Sequence, residues 1–438
     1  MTDATPARTP AFDATYLAEP HFEHDAPTGF SWRTVSGDFI LTVELRARGA
    51  GAQAGVQVEF DGVTLASAID ASGAVRVPGA TPQGTVVHPQ VYQVERRGDT
   101  LLFSSAPFGA PLGPVARADV PAGQPVRVGV HRRGDVELRN LRWTGPAWPG
   151  LVPYQDNLGS RLELLDVESG GRTVIFATDA GIEAPNYTPD GKYITFNSGG
   201  LIYRLEVGTH AVARIDTGTC VRNNNDHVIS PDGQWLGISN HASGAFDGQS
   251  IVCKLPISGG EPVALTPLAP SYLHGWSPDG RHVIYTAKRD GAFNIYRTTT
   301  DGAGEETQLT SGPALDDGSE YSHDGRHIYF NSARTGKMQV WRMNADGGEP
   351  RQLTDDGFND WFPHLSPDGR QLVFLSYQPD MQADKHPYYQ HVYLRAMPAD
   401  GGAPRVVAYL YGGQGTINVP SWSPDGRFVA FVSHTGRL

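Results

Sequence analysis

Cysteine is almost absent. Cys220 and Cys253 are the only two in 438 residues, which excludes a disulfide framework and any cysteine-based metal site, and suits a reducing compartment. No apolar run approaches the roughly 18 residues of a membrane-spanning helix. Residues 1–20 carry Pro6, Pro10 and acidic side chains but no apolar core of a signal peptide. A cytoplasmic protein is therefore expected, or a periplasmic one if a leader has been lost. Positive charge is short as well: 35 Lys and Arg face 47 Asp and Glu, a formal net charge of −12. That balance disfavours nucleic acid and anionic membranes as main partners.

Glycine and proline, by contrast, are plentiful, at 52 and 33 residues, and they fall at turns between apolar stretches. This is the pattern of an all-β chain of short strands. The length favours two domains. Through the last two-thirds one tetrapeptide recurs: Thr188-Pro189-Asp190-Gly191, Ser230-Pro231-Asp232-Gly233, Ser277-Pro278-Asp279-Gly280, Ser322-His323-Asp324-Gly325, Ser366-Pro367-Asp368-Gly369 and Ser423-Pro424-Asp425-Gly426. The aspartates are spaced by 42, 47, 45, 44 and 57 residues. A period of about 40–50 residues filled with alternating strands predicts a β-propeller, one blade per repeat. Six repeats predict six blades over 159–438. The sixth holds only two strands before Leu438, so Leu162–Val167 and Thr173–Phe176 are expected to complete it, closing the ring with strands from both ends.

Ahead of the repeats, residues 1–15 read as a flexible tail and 148–158 as a Pro/Gly linker. Between them, over 16–147, Phe39–Leu45, Gly55–Phe60, Val91–Glu95, Val126–Val130 and Val136–Leu141 alternate with period two, which predicts a β-sandwich. The opening Gly37-Asp38-Phe39, the hairpin Tyr92-Gln93-Val94-Glu95-Arg96-Arg97-Gly98-Asp99 and the closing Leu138-Arg139-Asn140-Leu141-Arg142-Trp143 resemble the concanavalin-like jelly rolls. That resemblance implies a carbohydrate-binding, interface or spacer role.

In a propeller the Pro-Asp-Gly turn is scaffold, and the start of the strand leading to it faces the central funnel. Counting two and three residues back from each Ser or Thr gives Pro185-Asn186, His227-Val228, His274-Gly275, Ser319-Glu320, Pro363-His364 and Pro420-Ser421. His227, His274 and His364 are candidate ligands for a divalent metal, Mn, Ca or Zn. Glu320, Asp317 and His227 are candidate acid/base groups. Asn225, Tyr272, Trp361, Arg334, Gln414 and Asn418 are candidate substrate contacts, suited to a sugar by their planar amides and rings. Basic side chains on the hairpin tips could receive an anionic sugar, and the long insertion Gln378–Gln390 is expected at the mouth.

The repeat of Ser-Pro-Asp-Gly, apolar strand, Tyr or Trp with Arg, Asp-Gly-Gly and Leu-Thr resembles the TolB-like propeller family over about 280 residues. The resemblance implies a six-bladed propeller, and members include components bound by protein partners and non-catalytic propellers of serine peptidases. A peptidase is not implied, since no Gly-x-Ser-x-Gly elbow accompanies the repeats. A more distant resemblance is to the oligogalacturonate lyases, which hold a manganese-type ion through histidines and a glutamine. Their Gln-x-x-His-x-His run corresponds to Gln414-Gly415-Thr416-Ile417-Asn418-Val419, where both imidazoles are missing. The expected function is a carbohydrate-active enzyme, lyase or hydrolase, acting on an oligosaccharide in the funnel with metal assistance. The alternative is a non-catalytic propeller that binds carbohydrate or protein.

Overall fold

The computed structural model describes residues 23–25, 29–48, 51–70, 72–152, 155–302 and 304–436; the expected tail at 1–15 lies outside them. Among the described residues every regular element is a strand except a 3-10 turn at Gly244–Phe246. No helix there is long and apolar enough to cross a membrane. The described residues form two compact units, one within 17–152 with 435–436, the other within 155–434.

The first unit holds a five-stranded and a six-stranded antiparallel sheet. Alternation along Phe39–Ala47 sends Phe39, Leu41, Val43 and Leu45 into one core with Val56, Val58, Val128 and Val130 of the other sheet. Each such burial contributes about 1.5–3 kcal/mol before chain entropy is set against it. Trp143 closes the core by stacking on Phe39 with ring centroids 5.3 Å apart. The buried guanidinium of Arg96 donates to the carbonyls of Gly98, Pro121 and Gln124, pinning two loops.

The second unit contains five four-stranded antiparallel sheets, beginning at Glu183–Tyr187, Asn223–Ile229, Ser271–Trp276, Asp316–Tyr321 and Asn359–Leu365. A further sheet joins Arg172–Thr178 and Gly159–Asp166 to the late strand Phe428–Thr435. Each first strand runs into its tetrapeptide turn, and the six turns share one geometry. The hydroxyl of Thr188, Ser230, Ser277, Ser322, Ser366 or Ser423 donates to the aspartate two residues on at 2.5–2.7 Å. That aspartate in turn accepts the amide two residues further. The glycines sit near φ +70°, a conformation that side chains resist. Indole donors stitch successive sheets: Trp276 Nε1 to Val228 O and Trp422 Nε1 to His364 O.

All five first strands slip register against their neighbours, between Glu183 and Asn186, Asn223 and His227, Leu273 and Gly275, Asp317 and Glu320, and Trp361 and His364. At three of these slips a residue adopts the left-handed conformation: Ala184 at φ 57°, Gly318 at φ 61° and Phe362 at φ 55°. A β-bulge re-aims the side chains ahead of it. This shift decides which residues reach the site.

Candidate functional site

The first strands and the loops beside them enclose a cavity of about 890 Å³ within the second unit. Its wall is best described by position relative to the turn. Five residues ahead of each Ser or Thr stand Glu183, Asn225, Tyr272, Asp317, Trp361 and Asn418, and all but Trp361 line the cavity. Three residues ahead, only His274 does. The bulge lies between the two positions, so a count assuming strict alternation lands on side chains turned into the sheets.

Three carboxyls meet here in different states. Burial pushes Glu183 up to about 7, against hydrogen bonds from Tyr388 and Asn225; the Tyr388 hydroxyl donates to Glu183 Oε1 at 3.0 Å. Burial likewise pushes Asp226 up to about 7, opposed by the charge of His274 and reinforced by that of Asp317. For Asp317 burial is overcome by His274, whose Nε2 lies 2.7 Å from Asp317 Oδ1, and the carboxyl falls to about 2. Burial would lower His274, but Asp317 and Asp226 together hold it raised. The Asp317–His274 contact is thus an ion pair, while Glu183 and Asp226 keep protons near neutrality.

Apolar and amide groups complete the wall. Tyr272 and Phe293 lie with ring centroids 6.4 Å apart, and Phe362 faces His274 and His386. Burial lowers His386. Asn418 donates to Gln414 Oε1 at 3.2 Å and accepts the amide of Gly415 at 2.8 Å, which fixes both amides at the wall.

Of the residues expected from the sequence, Asp317, His274, Asn225, Tyr272, Gln414 and Asn418 are brought together. Five others stand away from the cavity. His227 is fully buried, its Nδ1 is 3.1 Å from Asn225 O, and burial lowers it to about 4. His364 is held between Glu320 Oε2, 2.7 Å from Nδ1, and the carbonyl of Ile417. The other oxygen of Glu320 accepts the amide of Leu365. Trp361 is wholly buried against His386 at 4.3 Å. Arg334 grips both oxygens of Asp316 at 2.9–3.0 Å and stacks over Trp341.

The expected metal ligands His227, His274 and His364 are therefore not assembled. Among the described residues no group of three or more His, Cys, Asp or Glu is arranged to hold an ion. The donor set does not fit a metal. Of the basic tips expected to attract an anionic sugar, Arg334 is paired with Asp316 and Arg289 with Glu306, while Lys288 lies over the Phe293 ring and Lys337 donates to the carbonyl of Pro379.

Glu183 is missing from the residues that the sequence singles out, and Asp226, His386 and Tyr388 have no role assigned there. The signal for Glu183 is its offset of five from Thr188, shared with Asp317 and Asn225 from their own turns.

Similarities to known proteins bear on this arrangement. The model of the TolB beta propeller domain matches residues 266–386. An uncharacterized protein of Agrobacterium fabrum (strain C58) is 44% identical over 279 residues, 64% of this chain and 93% of its own length. The solved structure of a putative TolB from Agrobacterium tumefaciens is also 44% identical, covers 64% of this chain and all of its own, and superposes with a TM-score of 0.61. An oligogalacturonate lyase solved with manganese is 15% identical over 64% of this chain and 98% of its own, at a TM-score of 0.40, a level that carries neither its activity nor its metal to this chain.

Proposed function

We propose, for a chain that belongs to the TolB β-propeller family, that its propeller cavity hydrolyses an oligosaccharide by carboxyl acid–base chemistry. The observation carrying this reading is the pairing in one cavity of a carboxyl raised to about 7, Glu183, with one lowered to about 2, Asp317. Two acids whose environments drive them apart can serve as proton donor and ionised partner at one pH.

Glu183 is the general acid: it gives its proton to the oxygen of the departing sugar as the glycosidic bond breaks, with Tyr388 fixing its rotamer. Asp317, kept ionised by His274, stabilises the positive charge that develops on the ring left behind, and the water that attacks the ring returns a proton to the Glu183 carboxylate. Tyr272 and Phe293 supply apolar walls for the sugar's C–H faces, and Asn225, Gln414 and Asn418 supply amides for its hydroxyls. Elimination from a uronate would require cationic or metal stabilisation of the substrate carboxylate, and among the described residues the one arginine at the wall, Arg222, is exposed.

The test is a panel of defined oligosaccharides incubated with the protein near pH 6, read by mass spectrometry for new reducing ends. Turnover that falls by about 10²–10⁴ in Glu183→Gln supports the reading. Sugar-induced thermal stabilisation without product identifies a non-catalytic binding propeller instead. Neither turnover nor stabilisation with any sugar removes the carbohydrate assignment.

A further inference from the structure

The cavity holds three carboxyls against one buried cation, which bears on the sugar it takes. Glu183, Asp226 and Asp317 meet one buried cation, His274, and Asp317 already occupies it at 2.7 Å. Arg222, the sole arginine of the wall, is exposed. Asp226 is itself buried, at 5% exposure. Its Oδ2 accepts from Asn224 Nδ2 at 3.0 Å, and among the described residues its Oδ1 has no hydrogen-bond donor. A second acceptor lines the same cavity: Asn223, also 5% exposed, donates from Nδ2 to the carbonyls of Gly200 and Cys220, while its Oδ1 is buried with no partner among the described residues.

A hydroxyl could fill one such position but offers no counter-charge to a carboxyl that ionises there. An N-acetyl group adds a carbonyl acceptor where acceptors are already in excess, and a uronate adds like charge. An ammonium group supplies three donors and a positive charge that lets a carboxyl ionise, and the aromatic face of Tyr272 on the same wall favours a cation further. The raised values of Glu183 and Asp226 agree with this, since two carboxyls without a counter-ion keep their protons.

We propose that the cavity selects an amino sugar, an oligosaccharide with a free protonated amine, and that Asp226 is the ammonium's partner. This rests on the carbohydrate reading of the same cavity. Asp226 then sets specificity, while Glu183 and Asp317 carry the reaction.

The experiment is calorimetric titration of the full chain and its Asp226→Asn variant with glucosamine, N-acetylglucosamine and glucose oligomers of equal length. The wild type is expected to bind the glucosamine oligomer about tenfold or more tighter than either of the others, equivalent to about 1.4 kcal/mol, and Asp226→Asn to bring all three within about twofold. Equal wild-type affinities, or a preference for the acetylated oligomer, overturn the amine inference and leave the carbohydrate reading standing. An amine preference retained in a variant that melts like the wild type overturns the role of Asp226. Binding by none of the three overturns both readings. The wild-type comparison needs no variant, so a folding defect in Asp226→Asn does not shield the proposal.

Discussion

Glu183 and Asp317 occupy equivalent positions in their repeats, yet their protons behave oppositely, and the difference sets how the molecule responds to pH. Glu183 is raised from 4.5 to about 7 and Asp226 from 3.8 to about 7. The folded state holds these protons more tightly than the unfolded chain, so both groups cost stability as pH climbs through that window. Asp317, lowered from 3.8 to about 2, contributes stability above its ordinary value that is lost as pH falls through the interval. His274, raised above 6.5, contributes stability that is lost as pH rises past its folded value, the same direction as Glu183. Scanning calorimetry across pH is expected to show a melting maximum near pH 4–5, with a flank toward neutrality that Glu183→Gln makes shallower. An unchanged flank in that variant would mean the carboxyl is not held protonated. Turnover is expected to decline as pH rises through about 7. The sequence disclosed His274 through its offset of three, and Asp317, Asn225 and Tyr272 as polar or aromatic residues close in sequence to the counted positions. It concealed Glu183, and misdirected attention to His227, His364 and Glu320, because a bulge leaves no mark in an alternating pattern. Once the bulge is known, an offset of five replaces offsets of two and three.

Strands and turns were far more legible than the site. The strands expected at 39–45, 55–60, 91–95, 126–130 and 136–141 lie within Phe39–Ala47, Gln53–Phe60, Val91–Arg97, Val126–Arg133 and Val136–Thr144, because turn chemistry and apolar alternation are both local. The bulges depend on neighbours distant in sequence. Gly318, at φ 61°, shows this: a Cβ there would lie 2.3 Å from Asn331 Oδ1 and 3.0 Å from the Phe362 ring, while Asn331 Oδ1 accepts the amide of Phe362 at 2.9 Å. Gly280, in a tetrapeptide turn at φ 69°, has nothing within 4 Å of the same point. Gly280→Ala is therefore expected to cost only the conformational penalty, about 1–2 kcal/mol. Gly318→Ala adds a clash between two first strands and is expected to cost at least about 2 kcal/mol more, and to displace Asp317 from His274. Urea unfolding of the two variants measures the difference; equal midpoints would show that the bulge accommodates the methyl and that its geometry is not fixed by packing.

At the scale of the whole propeller unit, the sheet that joins chain ends is where cooperativity can be examined. Phe428–Thr435 pairs with Gly159–Asp166, and Ala430 and Val432 share a core cluster with Leu162, Ile175, Ile194 and Phe196. Across that sheet runs a buried ion pair, Arg172 Nη2 to Glu163 Oε1 at 2.8 Å, with side chains 3% and 0% exposed. Ser433 donates to the same carboxylate, and Arg172 Nη1 donates to Tyr409 O at 2.7 Å, so the pair binds strands from both ends to the preceding sheet. Removing one charge strands the other without solvent: Glu163→Gln is expected to destabilise by about 3–5 kcal/mol, and Glu163→Gln with Arg172→Met to recover part of that loss, because the unpaired charge has gone as well. If the sheet closes a ring, the loss should not remain local. Hydrogen exchange of Glu163→Gln is expected to show protection falling together in the first strands of all five four-stranded sheets, including Asp316–Tyr321 on the far side in sequence, since each first strand packs on the next. Protection lost only from 159–178 and 428–435 would instead mean that the sheets unfold one at a time, and that the joining sheet is a local clasp with no hold on the cavity wall.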